Sequence, residues 1–164
     1  MKSVMLSPTD RTFNLATHKL IINAADIAAL GAATTGVIAL VPTSGTFPAG
    51  TTFRFAGLHL VTAFDFSDTG ITSLLVEVGI TGVDTDKYLT QTQIAVDGTE
   101  VLYKVEAAVT QPFSELTADT VDALFTVANG GTPLLSEATA GELHLYLYVH
   151  TPQTNMQKVG GTLS

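Results

Sequence analysis

The segment LHLYLYVH at residues 143–150 alternates between two kinds of side chain. Leucine and valine occupy every second position, and histidine and tyrosine occupy the positions between them. A period of two predicts a β-strand whose successive side chains point to opposite faces of a sheet. We expect the aliphatic row to face a core and the strand to lie centrally in its sheet. The second row consists of His144, Tyr146, Tyr148 and His150.

This second row is too polar for a core and too aromatic for an ordinary solvated surface. Tyrosine offers a large, rigid contact area with a polar tip, and it is enriched in protein interfaces. The row therefore predicts contact with another protein subunit. Tyr146 and Tyr148 would also offer a stacking platform for sugar rings, so a carbohydrate-binding module stays open as an alternative.

The same period of two recurs along the chain and predicts about seven or eight strands. Turn-forming residues separate the rows at 47–50, 67–70, 96–98 and 129–131. The predicted inward rows are Leu20, Ile22 and Ala24; Val37, Ala39 and Val41; Leu74, Val76, Val78 and Ile80; Val101, Tyr103, Val105, Ala107 and Val109; and Val121, Ala123, Phe125 and Val127.

A change of phase marks the segment at residues 52–66. Phe53 and Phe55 occupy odd positions, whereas the apolar row that follows occupies even ones. Gly57 stands where the phase changes, and a glycine at such a point predicts a β-bulge that bends a long strand. The row after the bulge consists of Leu58, Leu60, Thr62 and Phe64.

Helix is predicted to be scarce. Residues 23–33 favour one or two helical turns before a glycine stop, and residues 85–94 are a second helix candidate. The connections at 81–99 and 110–118 are interpreted as crossovers between sheets. These elements predict an all-β protein, a jelly-roll β-sandwich of about eight antiparallel strands at residues 19–150, with a closed barrel as the other solution. An N-terminal arm at 1–18 and a C-terminal tail at 151–164 flank it.

Composition narrows the class of protein. Only 13% of the 164 residues are charged, compared with roughly a quarter in an average soluble domain. This low charge favours a chain that hides part of its surface in an oligomer or a larger assembly over a fully solvated monomer. The net charge of −8 argues against binding a phosphate backbone, so nucleic acid is not expected as a partner. No apolar run has the length of a signal peptide or a membrane span, so no membrane partner is expected.

Candidate catalytic motifs have ordinary structural explanations. The tripeptide Asp68-Thr69-Gly70 matches the DTG of aspartic proteases, in which two aspartates share a proton. Its position between two strands instead predicts a turn in which the aspartate caps the backbone. Motifs for a serine nucleophile or a phosphate-binding loop are missing from the sequence. The chain is therefore not expected to be an enzyme.

Metal binding has two candidate sites in the sequence. Asp84 and Asp86, with Asp97 and Glu100, would supply oxygen ligands for calcium, but the EF-hand spacing is absent and a solvated pair of aspartates is the ordinary interpretation. His144 and His150 share a strand face yet lie about 20 Å apart, so they cannot share a zinc ion within one chain. No cofactor is expected, and the absence of cysteine excludes disulfides and thiolate ligands.

Several sequence blocks resemble one group of viral proteins. They are FPAGTTFRFAGLHLVTAFDFS, LLVEVG, TGVDTDKYLTQTQ, TADTVDALFTV and TAGELHLYLYVH, within residues 36–150. In this pattern the chain resembles small proteins encoded among the head genes of tailed bacteriophages. The resemblance implies a jelly-roll head decoration or cement protein, which sits outside the assembled capsid as a dimer or trimer. It implies no functional residue, because the shared pattern marks fold positions.

Pattern, composition and resemblance lead to one expected function. The chain is expected to be a structural virion protein on the outer capsid surface, made in the host cytoplasm, that bridges major capsid subunits as a homodimer or homotrimer. Subunit contact is assigned to the row from His144 to His150, and docking on the shell to the termini, through Arg11, Phe13 and Lys158. The alternative is a carbohydrate- or receptor-binding jelly-roll module of a phage fibre or tailspike.

Overall fold

The fold is described from a computed structural model, which describes residues 2–5, 16–41, 46–80, 82–94, 96, 103–104, 113–114, 119–128 and 132–151. These residues form ten strands, one short α-helix and one 3₁₀ turn. Seven strands are six residues or longer, where the sequence predicted about eight strands. The strands are β1 (Lys2–Met5), β2 (His18–Asn23), β3 (Thr35–Val41), β4 (Thr52–Phe66), β5 (Ser73–Ile80), β6 (Asp84–Ile94), β7 (Tyr103–Lys104), β8 (Phe113–Ser114), β9 (Val121–Ala128) and β10 (Ala138–His150).

The strands form two antiparallel sheets that pack into a sandwich. The front sheet has the order β1-β2-β10-β4-β7, with β8 also paired to β4. The back sheet has the order β3-β9-β5-β6. From β2 to β5 the strands alternate between the sheets, and the last strand, β10, lies beside β2, the first long strand. The predicted all-β sandwich of antiparallel strands is confirmed, and its strand order is that of two interleaved Greek keys, as in a jelly roll.

The core lies between the two sheets and is built from the predicted inward rows. The inward residues of β5 and β9 are buried, and so are Leu143, Leu145 and Leu147 of β10. Strand β10 pairs with β2 on one side and β4 on the other, which confirms its predicted central position. The predicted row at 101–109 lies outside the described residues except for the backbone of β7.

The β-bulge predicted at Gly57 is present. Tyr146 pairs with Gly57 and Leu147 pairs with Phe55, so Ala56 is the extra residue on β4. A second irregularity follows, because Leu143 pairs with Leu60 and Glu142 pairs with Thr62. The prediction that Thr62 faces inward is therefore wrong: its side chain is exposed, and Phe64 returns to the core.

Strand β3 has the opposite phase to the one predicted. Ile38 packs against the core and Leu40 is fully buried, whereas Val37 is 39% exposed and Ala39 is half-buried. The predicted inward row is therefore wrong for Val37 and Ala39, and the side chain of Val41 lies outside the described residues. The segment is apolar at odd and even positions alike, so the period of two did not choose a face.

Two predictions for the segment after β5 are also wrong. Residues 85–94 form no helix, because they belong to β6, which pairs antiparallel with β5. The connection at 81–99 is not a crossover, since its first residues make the turn of this hairpin, in which the amide of Val83 donates to the carbonyl of Ile80. Tertiary pairing therefore overrides the helix propensity of the segment.

The α-helix α1 spans Ala24–Ala28, within the predicted region at 23–33. Asn23 accepts a hydrogen bond from the amide of Asp26 at 3.1 Å, and the Asp26 carboxylate accepts one from the amide of Asn23 at 2.9 Å. This reciprocal capping box starts the helix. Ala24, predicted as part of a strand row, is instead the first helical residue, and its side chain is still buried.

The segments predicted to flank the domain are described only in part. Within the predicted arm at 1–18, β1 pairs with β2, and Thr17 donates its amide to the carbonyl of Leu147 at 2.9 Å. Of the predicted tail, Thr151 alone is described. Arg11, Phe13 and Lys158, the predicted docking residues, lie outside the described residues.

Candidate contact surface

The residues His144, Tyr146, Tyr148 and His150 of β10 lie on the face of the front sheet that points away from the core. We call these four residues the outer row. Its neighbours on the adjacent strands follow from the register. His144 lies between Ile21 and His59, and Tyr146 lies between Lys19 and Gly57. Tyr148 pairs with Arg54 and His150 pairs with Thr52.

Exposure rises along the outer row toward its carboxyl end. His144 is 8% exposed and Tyr146 is 7% exposed, whereas Tyr148 is half-buried and His150 is exposed. The row assigned to subunit contact is therefore divided into two parts. His144 and Tyr146 are nearly buried within one chain, and the surface open to a partner is the end formed by Tyr148 and His150.

His144 is held by a polar group on its own strand and by aromatic neighbours. Its Nε2 atom lies 2.7 Å from the Oε1 atom of Glu142. Its ring centroid lies 6.0 Å from that of His59, in an edge-to-face arrangement, and 6.4 Å from that of Tyr146. Burial lowers the pKa of His144, and the charge of Lys19 adds to that effect, while the hydrogen bond to Glu142 opposes it. The neutral imidazole is therefore favoured in the folded chain.

Tyr146 is covered by two alanines from distant parts of the sequence. Ala16 and Ala56 are each 1% exposed and form a small buried cluster with the Tyr146 side chain. Ala56 reaches this position because it is the extra residue of the bulge in β4. The next residue after Ala16, Thr17, is fastened to β10: its hydroxyl accepts a hydrogen bond from the amide of Val149 at 2.8 Å. This contact fixes the segment that covers Tyr146.

The exposed end of the row combines groups suited to protein contact. Tyr148 and Arg54 are both half-buried and lie opposite each other on neighbouring strands. Tyrosine and arginine are the residue types that contribute most often to binding energy at protein interfaces. His150 and Thr52 continue the surface at the edge of the pair.

The DTG tripeptide forms a turn, as its position predicted. The Asp68 carboxylate accepts a hydrogen bond from the amide of Gly70 at 2.8 Å. The carbonyl of Asp68 also accepts one from the amide of Ile71 at 3.1 Å. These bonds use Asp68 to satisfy the backbone of the connection between β4 and β5.

The candidate calcium ligands Asp84 and Asp86 lie on strand β6 and not in a loop. A hydrogen bond with the Asp84 side chain raises the pKa of Asp86, and the negative charges of Asp84 and Glu77 act in the same direction. Asp97 and Glu100 lie outside the described residues. Within the described part of the chain, no three His, Asp or Glu side chains gather closely enough to hold a metal ion.

Some residues of the surface were missed from the sequence. Arg54 and His59 each stand between two apolar residues of β4, and Lys19 follows His18 at the start of β2, so their own segments carry no sign of a contact surface. Only the register with β10 brings them beside the outer row. Among the described helices, none has the length and apolar character needed to cross a bilayer.

Acid is expected to destabilise the fold through its buried histidines. Burial lowers the pKa of both His18 and His144 from the usual value of 6.5. Below about pH 6.5 the unfolded chain therefore binds more protons than the folded chain, so stability falls as the pH falls toward the folded-state pKa values. Replacing His144 by Gln should make the drop in melting temperature between about pH 7.5 and pH 5 smaller than in the wild type.

The matched control for this experiment is His150→Gln, which removes an exposed histidine from the same strand. Its melting temperature should follow the pH dependence of the wild type. Carboxylate protonation is common to all three proteins, so the difference between the curves isolates His144. Identical curves for His144→Gln and the wild type would contradict the assigned effect of burial.

Comparison of the chain with protein-family models, curated proteins and solved structures found no match. A fold shared by many unrelated functions does not identify one of them. The function is therefore inferred from the jelly roll, from the surfaces it exposes and from the sequence blocks that lie on its strands.

Proposed function

We propose that the chain is a structural virion protein that binds the outside of an assembled bacteriophage head and bridges the major capsid subunits. The observation that carries the proposal is the jelly roll whose central strand β10 buries its leucines and presents the half-buried Tyr148 and the exposed His150 at one end. Jelly rolls recur in viral capsid proteins, where they serve as rigid blocks with contact surfaces.

The position of the resembling sequence blocks supports this proposal. The block with PAGT supplies the turn at 47–50 and strand β4, and LLVEVG lies on β5. The DTDKYL block opens β6, the DTV block leads into β9, and the AGE block forms most of β10. The blocks are therefore the framework of the sandwich, which is the part that proteins of one structural class would share.

The low charge of the chain fits a protein that works in an assembly. The exposed end of the outer row is the surface we assign to contact between neighbouring copies on the head. His144 and Tyr146 support that surface from within the chain, because Tyr146 is packed against Ala16 and Ala56. The contact surface is thereby held in a fixed shape before a partner arrives, which lowers the entropy cost of binding.

Cementing of this kind needs no catalysis. A protein that binds only the assembled shell opposes disassembly by RT ln(1 + [L]/Kd) per site, which is about 2.7 kcal/mol when its concentration is a hundred times Kd. Copies that also contact each other gain further affinity by multivalency. Modest contacts repeated over a symmetric shell therefore add up to a large stabilisation.

The structure weakens the argument for the sugar-binding alternative, which needs two exposed tyrosine rings. A stacking platform needs exposed aromatic faces, and Tyr146 is 7% exposed. Only Tyr148 of the proposed pair keeps a half-exposed ring. The alternative is kept as an outcome of the localisation experiment that follows.

The localisation of the chain in purified particles tests the proposal directly. Particles of the phage that encodes the chain would be labelled with an antibody against it and imaged by electron microscopy. Label over the outer surface of the head is the expected result. Label confined to fibres or tailspikes would support the receptor-binding alternative, and absence of the chain from the particles would overturn both.

Removing the exposed end of the outer row should weaken binding to heads. The double variant Tyr148→Ser, His150→Ser is expected to bind heads stripped of the protein about tenfold more weakly, because neighbouring copies on the head then lose a tyrosine contact with each other that is worth at least about 1.4 kcal/mol. Co-sedimentation with the heads measures the affinity. Val83→Ser is the control, since Val83 is 76% exposed in the turn between β5 and β6. Equal loss in both variants would contradict the assignment.

A further inference from the structure

The two edges of the back sheet differ in how they are protected from pairing with other strands. At one edge, β6 carries Asp84, Asp86 and Lys87 and has an irregular register with β5. Charge and bulges are devices that keep edge strands from associating.

Strand β3, at the other edge of the back sheet, lacks these devices over its first five residues. Its sequence TGVIALV contains no charged residue and no proline. No described strand pairs with its second side. Beside this edge Thr35 is exposed and Val37 is 39% exposed. The register with β9 is regular from Thr35 to Ala39, and its shift comes only after Ala39.

The hydrogen bonds of β3 show which backbone groups face this open edge. The amide of Val127 donates to the carbonyl of Thr34 at 2.9 Å, so residue 34 exchanges bonds with β9. In an antiparallel pair the bonded residues alternate, so residues 36 and 38 also point their amides and carbonyls toward β9. Thr35, Val37 and Ala39 therefore point theirs toward the open edge.

The side chains of the same residues lie on the outer face of the back sheet. Gly36 and Ile38 face inward: a Cβ at Gly36 would lie 2.8 Å from the Cβ of Leu30, and Ile38 packs against the core. Val37 instead lies beside Leu124 of β9 on the outer face. The open edge thus offers both unpaired backbone groups and an aliphatic side chain to an incoming strand.

We propose that the open edge of β3 pairs with β3 of a second copy of the chain, antiparallel and about a two-fold axis at Val37. In this register Val37 lies opposite Val37 of the partner subunit, and Thr35 lies opposite Ala39 of the partner subunit. The residues whose amides and carbonyls face the open edge are then the bonded residues of the new ladder. The two back sheets become one continuous sheet.

Charge favours a second copy as the occupant. With a net charge of −8, two copies repel each other wherever their acidic surfaces meet. Strand β3 carries no charge, and Asp122, the carboxylate opposite Ala39, is 6% exposed. A two-fold contact places the same uncharged segment on both sides, so the surface is complementary to itself. The edge therefore allows self-association with little electrostatic cost.

The contact is expected to be weak in dilute solution and to act at high local concentration. Pairing of five residues buries less than the roughly 1,000 Å² of a stable interface, so dissociation in the micromolar to millimolar range is expected. The pairing does not depend on binding to a phage head. On a shell, where copies are held close together, the same edge would link neighbours through the sheet opposite to the outer row.

Val37→Lys tests the proposal in solution without heads. At the two-fold axis this change places two ammonium groups opposite each other, and their repulsion opposes the dimer. The same change makes the net charge of each chain less negative, so it weakens the general repulsion between two copies. Analytical ultracentrifugation of the wild type should show a concentration-dependent dimer at about 100 µM or above, and Val37→Lys should stay monomeric. Val83→Lys, the same change at an exposed valine away from the edge, should dimerise like the wild type.

A second comparison separates this edge from the outer row. The variant Tyr148→Ser, His150→Ser should keep the dimer, because those residues lie on the front sheet. A wild type that stays monomeric at about 1 mM overturns the proposal. So does a dimer that survives Val37→Lys or that Tyr148→Ser, His150→Ser abolishes. Circular dichroism of each variant establishes that it is folded.

Discussion

Replacing Leu145 by Ala should lower the free energy of unfolding by about 2–5 kcal/mol, the range for deleting a buried leucine side chain. Leu145 is 0% exposed and stands at the middle of β10. It pairs with Leu20 on β2 and with Leu58 on β4, both also fully buried. Its neighbours on both sides are held in paired strands, so most of the cavity cost should be felt. Urea unfolding followed by circular dichroism gives the measurement.

Leu124→Ala is the matched control for this substitution. Leu124 lies on β9, another central strand, but on the outer face, where its side chain is half-buried. The same change there should cost less than about 1.5 kcal/mol, because fewer contacts are lost and little cavity forms. If the two variants lost equal stability, the division of the sandwich into inner and outer rows would be wrong.

The sequence predicted best where alternation was strict. At residues 143–150 of β10 the aliphatic and polar residues never exchange positions, so the facing of these residues and the central place of the strand followed from pattern alone. The bulge at Gly57 was predictable for the same reason, since the inward row changes parity at a glycine. Together these features placed the core of the front sheet.

Strand β3 shows the limit of the same argument. Its residues Val37, Ile38, Ala39 and Leu40 are all apolar, so both phases satisfy a period of two equally well. The structure chooses Ile38 and Leu40 for the core because Gly36 packs tightly against Leu30. That contact joins β3 to the end of the α1 region, and a single strand's pattern does not contain it. Because Val37 was predicted to face the core, the sequence did not reveal it as an exposed valine on the edge strand of the back sheet.

Strand β6 was misassigned for a different reason. Its sequence TDKYLTQTQI is rich in residues that tolerate a helix, and its polar positions do not alternate cleanly. Pairing with β5 decides the outcome, and Tyr88 and Leu89 are both buried although they are adjacent in the sequence. A bulged register with β5 allows this, and a sequence period does not reveal it.

The sequence predicted which residues form the outer row but not how deeply each of them is buried. Alternation assigns Tyr146 to the outer face, which is correct, but it does not say what lies over that face. Ala16 and Ala56 cover the ring, and they are about 130 and 90 residues away along the chain. The surface available to a partner is thereby shifted to Tyr148 and His150. The co-sedimentation experiment measures how much that surface contributes to binding on a head.

The two proposed contacts lie on opposite sheets of the sandwich. The exposed end of the outer row belongs to β10 of the front sheet, and the open edge of β3 belongs to the back sheet. A chain with contacts on both sides can link more than two neighbours, whereas one self-complementary surface alone gives only a closed pair. An array on a symmetric shell requires the first arrangement. The two surfaces therefore support the same proposed role from independent observations.

Replacing Gly79 by Ala should destabilise the protein by about 3 kcal/mol or more, because the added methyl group overlaps backbone. Gly79 is buried on β5 where the start of β6 crosses it. A Cβ there would overlap the carbonyl oxygen of Asp84 and would lie 2.5 Å from the carbonyl carbon of Thr85. Backbone atoms cannot rotate away as a flexible side chain can. The hairpin of β5 and β6 must therefore open, and the back sheet loses part of an edge strand.

Gly82→Ala in the turn of the same hairpin separates this overlap from backbone conformation. Gly82 has a φ of 80°, which costs an L-residue about 1–2 kcal/mol, but no atom lies within 4 Å of the position of its Cβ. Thermal and urea unfolding should therefore show that Gly79→Ala is less stable than Gly82→Ala, and that Gly82→Ala is less stable than the wild type. A Gly79→Ala protein as stable as Gly82→Ala would mean that β6 does not cross β5 at this glycine. The edge of the back sheet opposite β3 would then be built differently, and the contrast between its charged edge and the uncharged edge of β3 would no longer hold.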